Sequence, residues 1–180
     1  MPFALAGLLA LTFRKERPLP DAAQGGAGAK VRLVVFSDNQ EGRETIDVGK
    51  IVKTEAEWRR ELSSEEFAIT RRKGTEMAFT GRYWNHHEAG LYCCVCCGTA
   101  LFRSAEKFDS GTGWRSFRAP AAAENVSTQT DRDLPIARTE VLCTKCDAHL
   151  GHVFGDGPPP TGLRYCINSA ALRFVPKRRT

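Results

Sequence analysis

The sequence lacks a long apolar run. Residues 1–13 are apolar, but this stretch is shorter than the roughly 20 residues that a membrane-spanning helix needs. It also lacks the preceding positive charges of a secretory signal, since Arg14, Lys15 and Arg17 follow it. No internal repeat or coiled-coil period is present. These absences predict a cytoplasmic globular protein with a loosely packed leader. Export or membrane anchoring through the apolar stretch is the alternative.

A strong charge imbalance is missing as well. The formal net charge is +5, and part of it comes from Lys177, Arg178 and Arg179 near the C-terminus. A basic tail of this kind is expected to be solvated at the protein surface without a specific role, although it could attract a polyanion. Basic residues elsewhere are scattered rather than interleaved with aromatic residues. We therefore expect no nucleic-acid partner.

The length of 180 residues is enough for one domain with a proper core. We expect a leader and linker over residues 1–29, which ends in a glycine-rich stretch. Residues 30–53 are predicted to form a β-hairpin extension, with strands at 31–36 and 43–48 on either side of a turn-rich segment. Residues 54–180 then form the main domain.

Two short helices are predicted at the start of this domain. Thr54 is followed three residues later by Glu57, and Ser63 by Glu66, which is the capping-box pattern. From Tyr92 onward, short β-type runs alternate with turns. The turns are predicted at Gly111–Gly113, Pro120, Asp131–Pro135 and Gly155–Gly162. The expected fold is mostly β, with two antiparallel sheets that form a small barrel-like core.

The seven cysteines are distributed in a pattern typical of metal binding. Cys93, Cys94, Cys96 and Cys97 offer two overlapping CxxC pairs, and Cys143 and Cys146 form another. The residue after the second ligand should tolerate positive φ. Gly98 and Asp147 meet that requirement, so we predict one structural Zn²⁺ held by Cys94, Cys97, Cys143 and Cys146. Disulfides or free thiols are the alternatives.

Cys166 has no CxxC partner. If its segment is a strand, then Arg164, Cys166 and Asn168 share one face. A thiol beside a cation tends towards the reactive thiolate. A buried core cysteine is an equally good interpretation of the strand alone.

Other candidate residues are found on either side of the Cys143–Cys146 pair. Trp114 lies in a glycine-rich turn, where it could line a pocket or belong to the core. His149 and His152 could bind metal, or could transfer protons near a nucleophilic cysteine. His86 and His87 lie in an irregular polar segment and receive no role.

Taken together, these motifs resemble those of the B-type methionine-R-sulfoxide reductase family over about residues 57–176. The segments that carry the resemblance are Tyr92-x-Cys94-x-x-Cys97, Leu101-Phe102, Lys107-Phe108-Asp109-Ser110-Gly111-x-Gly113-Trp114-x-Ser116-Phe117, Cys143-x-x-Cys146-Asp147-Ala148-His149-Leu150-Gly151-His152-Val153-Phe154, Asp156-Gly157-Pro158, Pro160-Thr161-Gly162 and Arg164-Tyr165-Cys166-Ile167-Asn168-Ser169.

The resemblance implies reduction of the R-epimer of methionine sulfoxide, in proteins or free, and repair of oxidative damage. It makes Cys166 the nucleophile, oxidised to a sulfenic acid that thioredoxin or a small thiol reduces. His149, His152 and Asn168 would handle the sulfoxide oxygen and water. Four residues are expected around the substrate: Trp114, Phe154, Arg164 and Asp156. We expect a monomer.

Two departures from the family pattern stand out. Arg115 replaces the usual proline after the tryptophan and is expected at the pocket rim. Thr112 stands where many members carry a recycling cysteine.

Two other functions remain open at this point. One is a zinc-ribbon module that binds nucleic acid, which would leave Cys166 and Trp114 unexplained. The other is a thiol-disulfide exchanger that pairs Cys93 or Cys96 with Cys166.

Overall fold

A computed structural model describes residues 28–133 and 136–178. Residues 1–27 of the predicted leader lie outside these ranges. So do Leu134 and Pro135 of a predicted turn, and Arg179 and Thr180 of the basic tail. No helix within the described ranges is both long enough and apolar enough to cross a membrane.

The described residues contain eleven strands and two α-helices. They are β1 (Lys30–Phe36), β2 (Arg43–Gly49), α1 (Glu55–Glu61), α2 (Ser64–Arg72), β3 (Gly90–Cys94), β4 (Ala100–Arg103), β5 (Lys107–Phe108), β6 (Arg115–Phe117), β7 (Val126–Asp131), β8 (Arg138–Cys143), β9 (His149–Phe154), β10 (Arg164–Ile167) and β11 (Leu172–Pro176).

The strands form three sheets, and every pairing is antiparallel. A six-stranded sheet has the order β5-β6-β10-β9-β8-β7, a three-stranded sheet has the order β11-β3-β4, and β1 pairs with β2. The mostly β fold with two antiparallel core sheets is confirmed. In the part of the chain that is described, the six-stranded sheet stays open, with β5 and β7 at its ends.

The two helices begin where their capping boxes predict. Thr54 accepts from the amide of Glu57, whose carboxylate accepts from the Thr54 amide, and Ser63 and Glu66 repeat this exchange. Both helices place large apolar residues against the sheets, including Trp58 and Phe67, each 4% exposed. Helix α2 packs on β9, the strand that carries both histidines of the candidate site.

The core lies between the six-stranded and three-stranded sheets. Phe117 of β6 stacks on Phe102 of β4, with ring centroids 4.5 Å apart, and meets Tyr92 of β3 edge-on at 5.2 Å. All three rings are fully buried. Because side chains alternate along a strand, these contacts use one face of the six-stranded sheet and leave the other face to polar residues.

A buried side-chain amide, that of Asn125, ties the β1 strand of the hairpin to the core. Asn125 accepts from the Val34 amide at 2.8 Å and donates to the carbonyls of Val34 at 2.8 Å and Ala100 at 2.7 Å. Its side chain is fully buried. The strands of the hairpin lie where the sequence predicts them. That residues 30–53 form an extension separate from the main domain remains a prediction.

We expect Asn125→Ala to loosen the hairpin selectively. The change leaves buried backbone groups of Val34 and Ala100 unpaired, which should lower the local opening free energy by about 2 kcal/mol. Hydrogen exchange should show faster exchange of the Val34 amide and of the β1–β2 ladder. Amides of β9 and β10 should be unaffected. Asn85→Ala, at an exposed position outside the hairpin, is the matched control. A uniform loss of protection in all strands would contradict this role.

Candidate active site and metal centre

Four cysteines from two loops come together at one end of the core. The sulfur atoms of Cys94, Cys97, Cys143 and Cys146 all lie within 4.8 Å of one another. The closest pairs are Cys97–Cys143 at 3.5 Å and Cys94–Cys146 at 3.7 Å. Thiolates around a tetrahedral zinc, each about 2.3 Å from the metal, would be about 3.8 Å apart. The donor set and its spacing therefore fit Zn²⁺.

The two loops that carry these cysteines have matching backbone turns. Gly98 donates its amide to the Cys94 carbonyl, and Asp147 donates to the Cys143 carbonyl, both at 2.9 Å. Gly98 has φ +75° and Asp147 has φ +54°. These are the two positions, each directly after the second cysteine of a pair, at which positive φ was expected from the sequence. The cluster uses the Cys94/Cys97 register, and Cys93 and Cys96 are not part of it.

Cys166 lies on β10 between two polar neighbours. Its cross-strand partners are His152 on β9 and Ser116 on β6, so all three side chains lie on the same face of the sheet. Burial raises the pKa of the Cys166 thiol, and the positive charge of Arg164, followed by the polar groups of Arg164 and Thr112, offsets this only in part. In the free protein desolvation thus outweighs the adjacent cation and disfavours the thiolate, and the reactivity of Cys166 stays a prediction.

The two histidines share a face because β9 is irregular. In a regular strand, residues three apart point to opposite faces. Here Val141 pairs with Gly151 and Leu142 pairs with His149. The register therefore shifts by one residue, and Leu150 is an unpaired bulge residue. Gly151 permits this, with φ +151° and no room for a Cβ, which would lie 2.0 Å from the Cys166 carbonyl.

A carboxylate holds each imidazole. Glu140 Oε1 lies 2.7 Å from His149 Nδ1, and Asp131 Oδ2 lies 2.7 Å from His152 Nε2. The other ring nitrogen of His149 is buried without a partner among the described residues. Burial lowers the pKa of His152, and the hydrogen bond with Asp131 offsets this in part. The ring centroids are 5.4 Å apart, so the rings form an oriented pair.

Sequence reasoning missed both carboxylates. Burial alone would raise the pKa of Glu140, but hydrogen bonds with His149, Gln129 and Lys73 outweigh it and lower the pKa to about 2. Asp131 was counted as a turn residue, yet it ends β7. One signal was available for Glu140, since it is a single acid within the β-type run Thr139–Leu142.

Arg164 and Asp156 form a bidentate ion pair at the start of β10. The Nε and Nη2 atoms of Arg164 each donate to an Asp156 oxygen at 2.8 Å. The guanidinium also lies over the ring of Phe154, its cross-strand partner, at 4.6 Å. These three predicted site residues therefore form one group beside Cys166, with Arg164 on the same face of β10.

Trp114 and Asn168 are tied to the backbone of neighbouring segments. Trp114 Nε1 donates to the Glu76 carbonyl at 3.0 Å. Asn168 Oδ1 accepts from the Glu76 amide at 3.1 Å, and its Nδ2 donates to the Leu150 carbonyl at 3.1 Å. Asn168 is only 3% exposed. Its contacts are those of a residue that positions the Leu150 bulge.

The expectation for Arg115 is wrong. The side chain is 1% exposed rather than at the rim of the pocket. In β6, Ser116 pairs with Cys166 and Arg115 pairs with Ile167. Because neighbouring residues of a strand point to opposite faces, Arg115 faces the core side of the sheet, away from Cys166.

The comparisons with known proteins agree with this arrangement. The family model for the SelR domain matches residues 62–176. A curated peptide methionine sulfoxide reductase MsrB of Herminiimonas arsenicoxydans is 61% identical over 125 residues, which cover 69% of this chain and 91% of that protein. The chain belongs to the MsrB family. The MsrB proteins of Thiobacillus denitrificans and Acinetobacter baylyi are 60% and 59% identical, covering 69% and 71% of this chain and 95% and 91% of their own lengths.

Membership of the MsrB family confirms the resemblance drawn from the motifs. The matched residues include the four-cysteine cluster, Cys166 and both histidines. The β1–β2 hairpin lies before the matched range.

We expect Cys143→Ser to lose bound metal and most of the stability, because metal binding supplies folding free energy. Metal analysis of the purified protein should give about one zinc per wild-type chain and almost none in the variant. Cys96→Ser is the matched control, since it alters the unused register and should keep its zinc. Full zinc in Cys143→Ser would rule out this ligand set.

Glu140 should make stability depend on pH in the acid range. Its pKa falls from the usual 4.5 to about 2 in the folded protein, so its contribution is complete above pH 4.5 and disappears as the pH falls towards 2. We expect Glu140→Gln to lower the free energy of unfolding at neutral pH by about 3 kcal/mol.

Urea unfolding of both proteins at several pH values would measure this difference. It should shrink steadily below pH 4.5, where the Glu140 carboxylate of the unfolded chain becomes protonated, and be lost near pH 2, where that of the folded protein does. Glu124→Gln, at an exposed position, should show no such deficit. A constant difference over the whole pH range would mean that the variant acts through packing instead.

Proposed function

We propose that the chain reduces the R-epimer of methionine sulfoxide, free or in proteins, with Cys166 as the nucleophile. Membership of the MsrB family makes it a methionine sulfoxide reductase, an oxidoreductase that repairs oxidised methionine. The observation that carries the proposal is the pairing of Cys166 with His152 across β10 and β9, with Arg164 on the same face. This pairing puts a thiol beside a group that can carry a proton.

The proposed reaction transfers one oxygen atom. The Cys166 sulfur attacks the sulfoxide sulfur, the oxygen passes to Cys166, and methionine leaves. The methionine sulfur gains two electrons and the cysteine sulfur loses two, so that the thiol becomes a sulfenic acid. The proton of the thiol ends on the sulfenic oxygen, and the atoms balance without a further reactant.

Proton movement is the part of this reaction that the imidazoles would assist. A sulfoxide sulfur becomes a good electrophile only when its oxygen is protonated. Burial raises the pKa of the Cys166 thiol, which favours its protonated form, and the proton of that form is available for this purpose. His149 and His152, each oriented by a carboxylate, are the groups proposed to pass the proton to the oxygen.

The remaining predicted residues would hold the substrate. The Trp114 ring is proposed to pack on the sulfoxide methyl group, where a partly cationic sulfur beside an indole face is favourable. Phe154 is proposed as the second aromatic contact, fixed by Arg164 and its bond to Asp156. Asn168 is proposed to act through the Leu150 bulge that places the histidines.

The four-cysteine cluster is proposed to hold one structural Zn²⁺. Four thiolates close the coordination shell, so the metal would stabilise the two loops and take no part in the reaction. Arg71 supports this end of the molecule, since its Nη1 donates to the Cys146 carbonyl at 2.7 Å and its guanidinium lies 3.8 Å over Trp58.

We propose that an external thiol, thioredoxin or a small thiol, reduces the sulfenic acid. Thr112 stands at the place where a recycling cysteine is expected, near enough to Cys166 to lower the pKa of its thiol. Cys93 is buried on β3 of the other sheet, where burial raises its pKa to about 11, which disfavours the thiolate needed for attack. A thiol-disulfide exchanger that uses Cys93 is therefore disfavoured. A monomeric state, a cytoplasmic location and the lack of a nucleic-acid partner remain predictions.

The test is consumption of the separated R- and S-epimers with a dithiol reductant. Wild type should consume the R-epimer only. Cys166→Ser should keep its zinc and fold but lose turnover by more than about 1,000-fold, because a serine hydroxyl is a much weaker nucleophile at neutral pH. Preferential use of the S-epimer would refute the assignment, as would near-normal turnover by the variant.

The double variant Cys93→Ser/Cys96→Ser is the control for recycling. It should turn over normally with thioredoxin, and one equivalent of substrate should leave a sulfenic acid on Cys166 that a sulfenate-specific reagent labels. An internal disulfide from Cys166 to Cys93 or Cys96 in the oxidised wild type would overturn the external-thiol cycle.

A further inference from the structure

A cavity of about 300 Å³ lies beside Trp114, on the core side of β6. Its lining combines aromatic and basic residues, chiefly Phe79, Trp84, His86, Lys107, Trp114 and Arg115. Cys166 is not part of it. The cavity is therefore a neighbour of the proposed active site, and Trp114 is the predicted site residue that the two share.

Arg115 forms the buried wall of this cavity. The residue is 1% exposed, and its Nε and Nη2 atoms have no hydrogen-bond partner among the described residues. Burial lowers its pKa to about 10, still far above neutral, so the guanidinium keeps its charge. A buried charge without a partner is costly, and proteins normally pair it or satisfy it with hydrogen bonds.

The nearby acidic groups do not neutralise Arg115. The Glu76 carboxylate accepts from the amides of Ser169 at 2.8 Å and Ala170 at 3.2 Å. Asp109, the one acid that lines the cavity, is exposed and accepts from the Gly111 amide at 2.9 Å. Within residues 28–133 and 136–178, no carboxylate lies within salt-bridge distance of Arg115.

Lys107 adds a second cation to the same cavity. Its Nζ donates to the His86 carbonyl, and burial, followed by the positive charge of Arg115, lowers its pKa to about 8. The Tyr92 hydroxyl is engaged with His86 Nδ1 at 3.0 Å. The cavity thus presents two cations, and the polar groups near them already have other hydrogen-bond partners. A bound anion would pair with both cations.

The mouth of the cavity is suited to a peptide. Phe79 and Trp84 are 56% and 48% exposed and pack edge-to-face with centroids 6.0 Å apart. Exposed aromatic residues of this kind are enriched where proteins contact one another. The cavity and the proposed active site meet at Trp114, which lines the cavity and is the proposed contact of the sulfoxide methyl group. An extended peptide of two or three residues spans about 7–10 Å, so a neighbour of a methionine sulfoxide held against Trp114 is within reach of the cavity that Trp114 lines.

We propose that this cavity binds a carboxylate of the substrate peptide, two or three residues from the methionine sulfoxide, and that Arg115 and Lys107 recognise it. The inference rests on the proposed function and names a substrate class for it: oxidised methionine with an acidic residue nearby. Arg115 is a specificity residue in this view. It takes no part in oxygen transfer.

The test compares end-blocked pentapeptides with a central R-methionine sulfoxide and either Glu or Gln two residues before or after it. KM and kcat are measured for each with a dithiol reductant. For wild type, one of the Glu peptides should have a KM about tenfold lower than its Gln twin, the size expected for a hydrogen-bonded charge pair. Arg115→Met should abolish the difference and leave kcat for the Gln peptide unchanged.

Two further variants separate charge from structure. Arg115→Lys should restore part of the preference, whereas Arg60→Met, at an exposed position of α1, should leave the whole preference intact. Zinc content and melting temperature check that each variant folds. If Arg115→Met does not fold, Lys107→Met takes its place and should weaken the preference.

Three outcomes would overturn the inference. Equal KM values for Glu and Gln peptides in wild type, with good turnover of both, would refute it and leave the proposed function standing. Failure to reduce any R-sulfoxide peptide would refute the proposed function as well. Inorganic phosphate is the probe for a free-anion site: a higher melting temperature in wild type but not in Arg115→Met, without a peptide preference, would exclude the substrate carboxylate.

Discussion

The convergence of four thiols is the constraint on which the rest of the structure depends. Cys94 and Cys97 lie where β3 of the three-stranded sheet ends, and Cys143 and Cys146 lie between β8 and β9 of the six-stranded sheet. Their clustering joins the two sheets at one point. The strand that leaves this point is β9, which carries His149 and His152. The four-cysteine cluster, which does not include Cys166, thus determines where both imidazoles lie.

The candidate site is a row of polar side chains on one face of the six-stranded sheet. Ser116, Cys166, His152 and Glu140 are successive cross-strand partners on β6, β10, β9 and β8. Such a row is costly to desolvate unless each member finds a partner. Glu140 and Asp131 meet that need by bonding the imidazoles, which also fixes the ring orientations. The same bonds that stabilise the fold therefore prepare the site.

The opposite face of the same sheet has another consequence for function. It carries apolar residues such as Phe117 and Ile167 together with two cations, Arg115 and Lys107, and the charge of Arg115 is enclosed next to the aromatic core formed by Tyr92 and Phe117. The short strand β6 thereby connects two environments: Ser116 lies beside the thiol, and Arg115 opens into a positively charged cavity. A single residue that departs from the family pattern can in this way change which peptides bind without touching the reacting atoms.

Much of the local structure followed from the sequence. Capping boxes at Thr54 and Ser63 define where α1 and α2 begin because their hydrogen bonds are made within four residues. The choice of Cys94 and Cys97 over the other register followed from Gly98 and Asp147, since positive φ is a local backbone property. The family could be recognised in the same way, from motifs that are short and contiguous.

The sequence by itself determined the helix starts, the mostly β class, the thiol cluster and the family. Tertiary structure alone decided the face on which Arg115 lies, the carboxylates that hold His149 and His152, and the direction in which burial shifts the pKa of Cys166. Each of these depends on strand register or on burial. Register joins residues distant in the chain, and burial is the sum of many such contacts. The cation beside Cys166 was visible in the sequence, but the desolvation that outweighs it was not.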